Sequence, residues 1–290
     1  MVKLEAVLPM LPDDVRMYRL RPPKVNRGAL AALARRFDLH GSERVGGFYQ
    51  DRNVLRYTES YYTVMLHRAS GGVRFYDKSR WQRDWGEGDV KLSDRRAIAI
   101  AERFVTEREL ADSGEYDVLK VSRLNVGTVE LESGTAQERV IDVAVAFQRV
   151  VDGLPVDGPG GKLVVYIGHG SQITGCEFLW RDIASVARQR VELRSPESVL
   201  ERLARRYALR RGSMTVEAFR FGYFELGWND RQAMLQPAYV VLLKLATGER
   251  AFRVRKVEVT PAATRPVPGL APRRRRPTKE QQSRRETREA

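Results

Sequence analysis

Residues 140–183, VIDVAVAFQRVVDGLPVDGPGGKLVVYIGHGSQITGCEFLWRDI, constrain the fold more than any other part of the chain. Three β-rich runs are separated by Gly, Pro and Asp clusters, so the chain turns back on itself every few residues. Along 138–150, Val140, Asp142, Ala144, Ala146 and Gln148 alternate with Ile141, Val143, Val145 and Phe147. A period of two places these sets on opposite faces of one strand. Runs at 162–168 and 172–180 read as a hairpin through Gly168-His169-Gly170-Ser171. Residues 196–257 then offer a helix followed by strands, so the arrangement recurs in pattern and only weakly in identity.

The rest of the chain fits this frame. Asn26 is placed to cap a helix over GALAALARRFDL, which ends near His40-Gly41. Short runs at 45–50, 53–59, 60–67 and 72–77 follow, with Gly46-Gly47 and Gly71-Gly72 where hairpin turns belong. A loop with Trp81 and Trp85 leads to Ser93, a second N-cap, and to DRRAIAIAERFVTERELAD with apolar residues at helical spacing. Strands are expected at 116–131 and 138–150, joined through Glu132-Ser133-Gly134, and a helical connector at 183–190. Ser195-Pro196-Glu197 opens a third helix. Strands at 214–226, 235–246 and 250–258 complete the second half, with Thr247-Gly248 as the last turn. From Pro261 the sequence is rich in Pro and Arg, and a disordered tail is expected.

A chain of 290 residues buries a substantial core, and 42% hydrophobic residues are ordinary for a globular protein. The formal net charge is +14. Residues 273–290 hold eight basic and three acidic residues, so part of that excess is local to the tail. Acidic partners are favoured, including nucleic acid engaged by counterion release. No apolar run reaches the roughly 18–20 residues that span a bilayer. The N-terminus carries Glu5, Asp13 and Asp14 and lacks the apolar centre of a secretory signal. The chain as written is therefore expected in the cytoplasm, or outside it if a leader has been removed. The single Cys176 excludes a disulfide framework within the chain and a cysteine-based zinc cluster.

Two segments carry a resemblance. GLPVDGPGGKLVVYIGHGSQITG is similar to the signature of PepSY-like domains and related protease propeptides. LRSPESVLERLA followed by FRFGYFELGWNDRQAMLQPAYVVLLKLATGERAFRV resembles regulatory domains of the YycI type. The likeness spans about 140–258, and 27–111 fits more loosely. It implies cystatin-like α+β modules that bind or restrain other proteins without catalysis, mostly outside the cytoplasm. In such a module Pro237 stands at the start of an edge strand, where a missing N–H is harmless.

Motifs with intrinsic chemistry are sparse. His169-Gly170-Ser171 is not a G-x-S-x-G elbow and reads as a turn. Gly160-Gly161-Lys162-Leu163 fails the P-loop pattern, which needs Gly at 156, where Val stands, and Ser or Thr at 163. His40, His67 and His169 show no ligand spacing and suit surface or turn positions. Cys176, beside Phe178 and Trp180, reads as a small buried hydrophobe. Tyr223, Phe224 and Trp228, flanked by Glu225 and Asp230, are the candidate contacts for a ligand or peptide on a sheet face. Arg273, Arg274, Arg275 and Arg276 are the candidate nucleic-acid contacts.

The expected fold is α+β, with two cystatin-like helix-plus-antiparallel-meander halves and a disordered basic tail. The expected divisions are 1–111, 112–194, 195–260 and 261–290. The expected function is a protein-binding or regulatory module acting through a sheet edge or concave face, with no metal or cofactor. The alternative is nucleic-acid binding through the Arg-rich tail and a basic surface.

Overall fold

The computed structural model describes residues 2–79, 89–129, 136–207, 212–247 and 252–268. In chain order the elements are β1 (Val2–Leu4), β2 (Met17–Leu20), α1 (Arg27–Arg36), β3 (Gly47–Gln50), β4 (Val54–Glu59), β5 (Tyr62–His67), β6 (Val73–Asp77) and α2 (Asp94–Glu107). They continue as β7 (Tyr116–Val129), β8 (Ala136–Val151), β9 (Leu154–Asp157), β10 (Lys162–Ile167), β11 (Ile173–Leu179) and β12 (Ile183–Arg188). The chain then forms α3 (Pro196–Arg206), β13 (Gly212–Phe224), β14 (Met234–Thr247) and β15 (Phe252–Pro261). The three α-helices named above, among the described residues, start where an oxygen-bearing side chain stands. Asn26 accepts from Ala29 N at 2.8 Å, Ser93 from Arg96 N at 3.4 Å and Ser195 from Ser198 N at 3.2 Å. Each cap contributes about 1 kcal/mol.

The expected pair of cystatin-like helix-plus-meander halves is not what forms. The strands join into a single mixed sheet of fifteen, ordered β12-β2-β14-β13-β9-β8-β10-β11-β6-β5-β4-β3, with β1, β15 and β7 branching from β13, β14 and β8. The physical reason lies in β8 and β9. β8 is long enough to pair with β7 along one side while the other side takes β10 and then, through a hairpin, β9. The hairpin turns on Asp152 and Gly153, both with positive φ, the geometry a two-residue primed turn demands. β9 then pairs in parallel with β13, Tyr223 against Val156 and Phe224 against Asp157. This parallel pair joins two antiparallel groups that the sequence presents as separate meanders. The ladder also runs straight across position 111, since β6 pairs with β11.

Other expectations change for similar reasons. Residues 183–190 form no helix. β12 instead pairs with β2, two short strands that alone carry too little periodicity to be read. Pro237 lies inside β14, an interior strand. Its carbonyl accepts from Ala262 N, so its absent N–H faces the seam where pairing with β2 ends and pairing with β15 begins. Regular strand ends at Pro261, but the expected disorder does not begin there: Ala262 and Ala263 are fully buried, and Leu193 bridges to Ala263. The expected tail from 269 onward, the Trp81–Trp85 loop, the 132–134 turn and Gly248 lie outside the described residues.

The core follows strand parity. Val143, Val145 and Phe147 of β8 meet Leu163, Val165 and Ile167 of β10, where α2 covers them with Ala97, Ala101 and Phe104, while Leu30 and Ala34 of α1 pack over β4 and β5 in the same core. In the second group Val199 and Leu203 of α3 pack on Phe219, Phe221, Tyr239 and Val241. Between them Tyr18, Leu20, Val151, Val156, Tyr223 and Leu235 form a third cluster at the junction. No helix among the described residues is long and apolar enough to cross a membrane.

Candidate functional site

Because side chains alternate along each strand, the residues between the core positions of β4 to β11 share the face turned away from α1 and α2. One cross-strand row on that face runs Tyr49, Arg56, Met65, Arg74, Glu177, Val164, Ala146 and Lys120. Guanidinium groups there lie over aromatic rings: Arg56 is 4.8 Å from the Tyr49 ring centre and Arg74 is 4.4 Å from that of Trp228. Glu177 accepts from Tyr76 Oη at 2.8 Å and lies 3.4 Å from Arg74 Nε. Burial and the nearby Glu177 carboxylate raise the Tyr76 pKa above the ordinary phenol value, so the phenol keeps its proton.

Trp228 reaches this face from the loop after β13. Its ring also packs on His67 at 4.8 Å. His67 contradicts the expected surface or turn role: it is 7% exposed and neither ring nitrogen has a hydrogen-bond partner. Burial and the neighbouring Arg74 lower its pKa to about 4, so the ring is neutral near pH 7. His40 keeps an exposed ring and pairs with Glu59 at 2.6 Å, and His169 stays in the turn as expected.

The other two predicted contacts do not share a surface with Trp228. Adjacent residues on one strand, Tyr223 and Phe224 point to opposite faces, and both are buried. The Tyr223 hydroxyl donates to Arg16 O at 3.1 Å and lies 3.3 Å from Asp152, which also accepts from Tyr18. It ties the N-terminal segment to the β8–β9 turn. Phe224 packs with Leu226, Ala238 and Val240. Arg273 to Arg276 lie outside the described residues.

Glu225 is fully buried at the centre of an ionic cluster that sequence reading missed. Arg181 donates to Glu225 Oε1 at 2.9 Å, to Leu226 O at 2.8 Å, to Gly227 O at 2.9 Å and to Asp230 O at 2.7 Å. Arg149 donates to Arg181 O at 2.8 Å and stands 3.9 Å from Glu225 Oε2. These side chains come from β8, the end of β11 and the end of β13, so the cluster spans the junction. Arg149 inside the largely apolar run VAFQRVV is the signal that could have pointed to it, because a charge carried into a core must be paired. Lys162 also braces the backbone, its ammonium donating to Val156 O at 2.8 Å and Gly160 O at 3.3 Å. Cys176 is buried as expected, and burial raises its pKa well above the ordinary thiol value. Among the described residues no group of His, Cys, Asp and Glu is arranged to hold a metal ion.

Among the described residues the longest open sheet edge is β7. Its fourteen residues pair with β8 on one side, and the sheet order assigns no strand to the other. Val118 is 40% exposed, Leu119 42% and Val129 62%. Register shifts at Val118/Lys120 and at Leu124/Asn125 interrupt the ladder.

No family model matches the sequence, and no curated protein matches it. The fold is similar to that of a solved structure, an uncharacterized protein from Eubacterium rectale ATCC 33656, with a TM-score of 0.52 and 14% sequence identity. The match covers 91% of this chain and 89% of that one, so both strand groups belong to a shared fold.

Proposed function

We propose that this chain is a protein-binding module that takes up an extended segment of its partner by strand addition at the outer edge of β7. The observation that carries this reading is the length and openness of that edge. An unpaired row of backbone N–H and C=O groups is a template for another strand, and exposed apolar side chains beside it supply pockets for alternate residues. The other edges are shorter: β1 has three residues, β3 four, β12 six and β15 ten. The two register shifts and the basic Lys120 and Arg123 restrain indiscriminate pairing, so the edge is guarded as well as open. The resemblance to PepSY-like and YycI-type domains implies the same class of function.

The test is hydrogen–deuterium exchange on the full chain, alone and with a partner recovered from its native host. Backbone amides within 117–127 are expected to gain protection, and Val118→Lys with Leu119→Lys is expected to weaken capture by about tenfold or more, the effect of charge in an apolar contact. Protection confined to other strands, with capture unaffected by the double variant, overturns the reading. Salt-sensitive retention of nucleic acid without protection of β7 would favour the nucleic-acid alternative instead.

A further inference from the structure

β15 ends the other strand group in a regular open edge. It pairs with β14 from Phe252 opposite Thr247 to Pro261 opposite Ala238 without a register shift. Among the described residues the sheet order places no strand on its outer side. The β7 ladder, by contrast, is interrupted twice. An uninterrupted edge is the form that proteins keep covered, because it pairs readily with another chain. One hydrogen bond shows which backbone groups this edge presents. Just past the strand, Ala262 N donates to Pro237 O at 3.0 Å, so by antiparallel alternation the even-numbered residues of β15 face β14. Arg253, Arg255, Val257 and Val259 therefore turn their N–H and C=O groups outward.

The side chains of this edge are complementary to their own reversed copy. Two-fold antiparallel pairing centred on Val257 sets residue 256 opposite 258 of a second copy, 255 opposite 259 and 253 opposite 261. Lys256 then faces Glu258 of the second copy in a non-hydrogen-bonded pair, where side chains approach most closely. Within one chain Lys256 and Glu258 already pair at 2.7 Å, and Arg206 lies 3.2 Å from Glu258. Across the axis the two Lys256–Glu258 pairs meet head to tail, so each carboxylate gains a second ammonium. Moving the centre by one residue sets Lys256 against Lys256 or Glu258 against Glu258, and moving it to Arg255 sets that residue against itself. Like charges directly opposite are destabilising. On the other face Val257, 59% exposed, meets its own copy and carries the row Ala218, Leu242, Val257 across the axis. Pro261, with no N–H to give, stands opposite Arg253 and stops the ladder at both ends.

We propose that β15 is the interface of a homodimer, in which two copies of this chain join edge to edge about a two-fold axis at Val257 and form one continuous sheet. The partner is the chain itself, because Lys256, Val257 and Glu258 complement their own reverse order in a single full-length register. The interface is narrow, so the association belongs to the weak, concentration-dependent class. It leaves the outer edge of β7 free.

Sedimentation velocity of the full chain over a concentration series tests this, and a monomer–dimer equilibrium in the micromolar range is expected. Val257→Pro removes an outward N–H that makes no bond to β14, so it is expected to abolish the dimer and leave the melting temperature of the monomer unchanged. Lys256→Glu sets like charges opposite and is expected to weaken dimerisation about tenfold or more. Val257→Cys reads the register. Opposed residues of a hydrogen-bonded pair have Cα atoms about 5.5 Å apart, within disulfide reach, so mild oxidation is expected to cross-link two copies. Val254→Cys is expected not to cross-link, because its copy lies about 20 Å away along the strand. The native Cys176 is buried and takes no part. A monomer at every concentration up to about 0.5 mM, a dimer unaffected by Val257→Pro or by Lys256→Glu, or cross-linking by Val254→Cys and not by Val257→Cys overturns the proposal.

Discussion

His67 is buried against Trp228 with both ring nitrogens unpaired, which ties stability to pH in a defined direction. Its pKa is near the ordinary 6.5 in the unfolded chain and about 4 in the folded one. Between these values the unfolded state binds a proton that the folded state refuses. Acidification from about pH 6.5 therefore costs stability with a slope approaching 1.4 kcal/mol per pH unit for this one group, levelling off below about pH 4. Urea unfolding of wild type and His67→Phe across this range checks the claim: the variant should lose that component of the slope. An unchanged slope would place the loss on carboxylates instead. Glu225 offers a second test at the same scale. Removing one member of a buried ion pair leaves the others uncompensated, so Glu225→Ala is expected to cost about 3–5 kcal/mol. The double change Glu225→Leu with Arg181→Met should recover only part of that loss, measured by the same unfolding curves, because Arg149 stays buried without its carboxylate and the carbonyls of Leu226, Gly227 and Asp230 lose their donor.

At the scale of elements, the tight approach of β9 to β13 is the most exacting feature. A Cβ at Gly222 would press on Pro155 O, a backbone atom that cannot step aside without moving β9. Gly222→Ala is expected to destabilise by about 1–3 kcal/mol, the usual cost of overpacking. Gly127, in the open strand β7, has nothing within 4 Å of the position a Cβ would occupy. Gly127→Ala is expected to be neutral or slightly stabilising, because alanine loses less backbone entropy on folding. Thermal unfolding of the two variants side by side distinguishes them, and equal shifts would mean that β9 and β13 are not closely packed. Among the described residues, the long strands and the three capped helices were legible because their signals are local, as with Asn26, Ser93 and Ser195. β1, β2, β9 and β12 were not: three to six residues carry little periodicity, and their partners decide whether they extend.

For the whole molecule, the junction cluster predicts that the two strand groups unfold together. Tyr223 is fully buried there, and replacing it with Ala is expected to cost about 3–5 kcal/mol and to separate far-UV from near-UV circular dichroism transitions that coincide in the wild type. Coincident transitions in the variant would show that the groups remain coupled without it. By itself the sequence determined where most strands begin and end, which faces of β8 and β10 are apolar, where the helices are capped, and that Cys176 is buried. Those properties depend on neighbours within a few residues. Only the tertiary structure decided which strands pair, that the apparent halves form a single sheet, that Glu225 joins Arg181 across 44 positions, and that Tyr223 bonds to Arg16 across 207. Strand periodicity specifies a face but not a partner, and the burial of a charge or a histidine depends on what the distant chain places beside it.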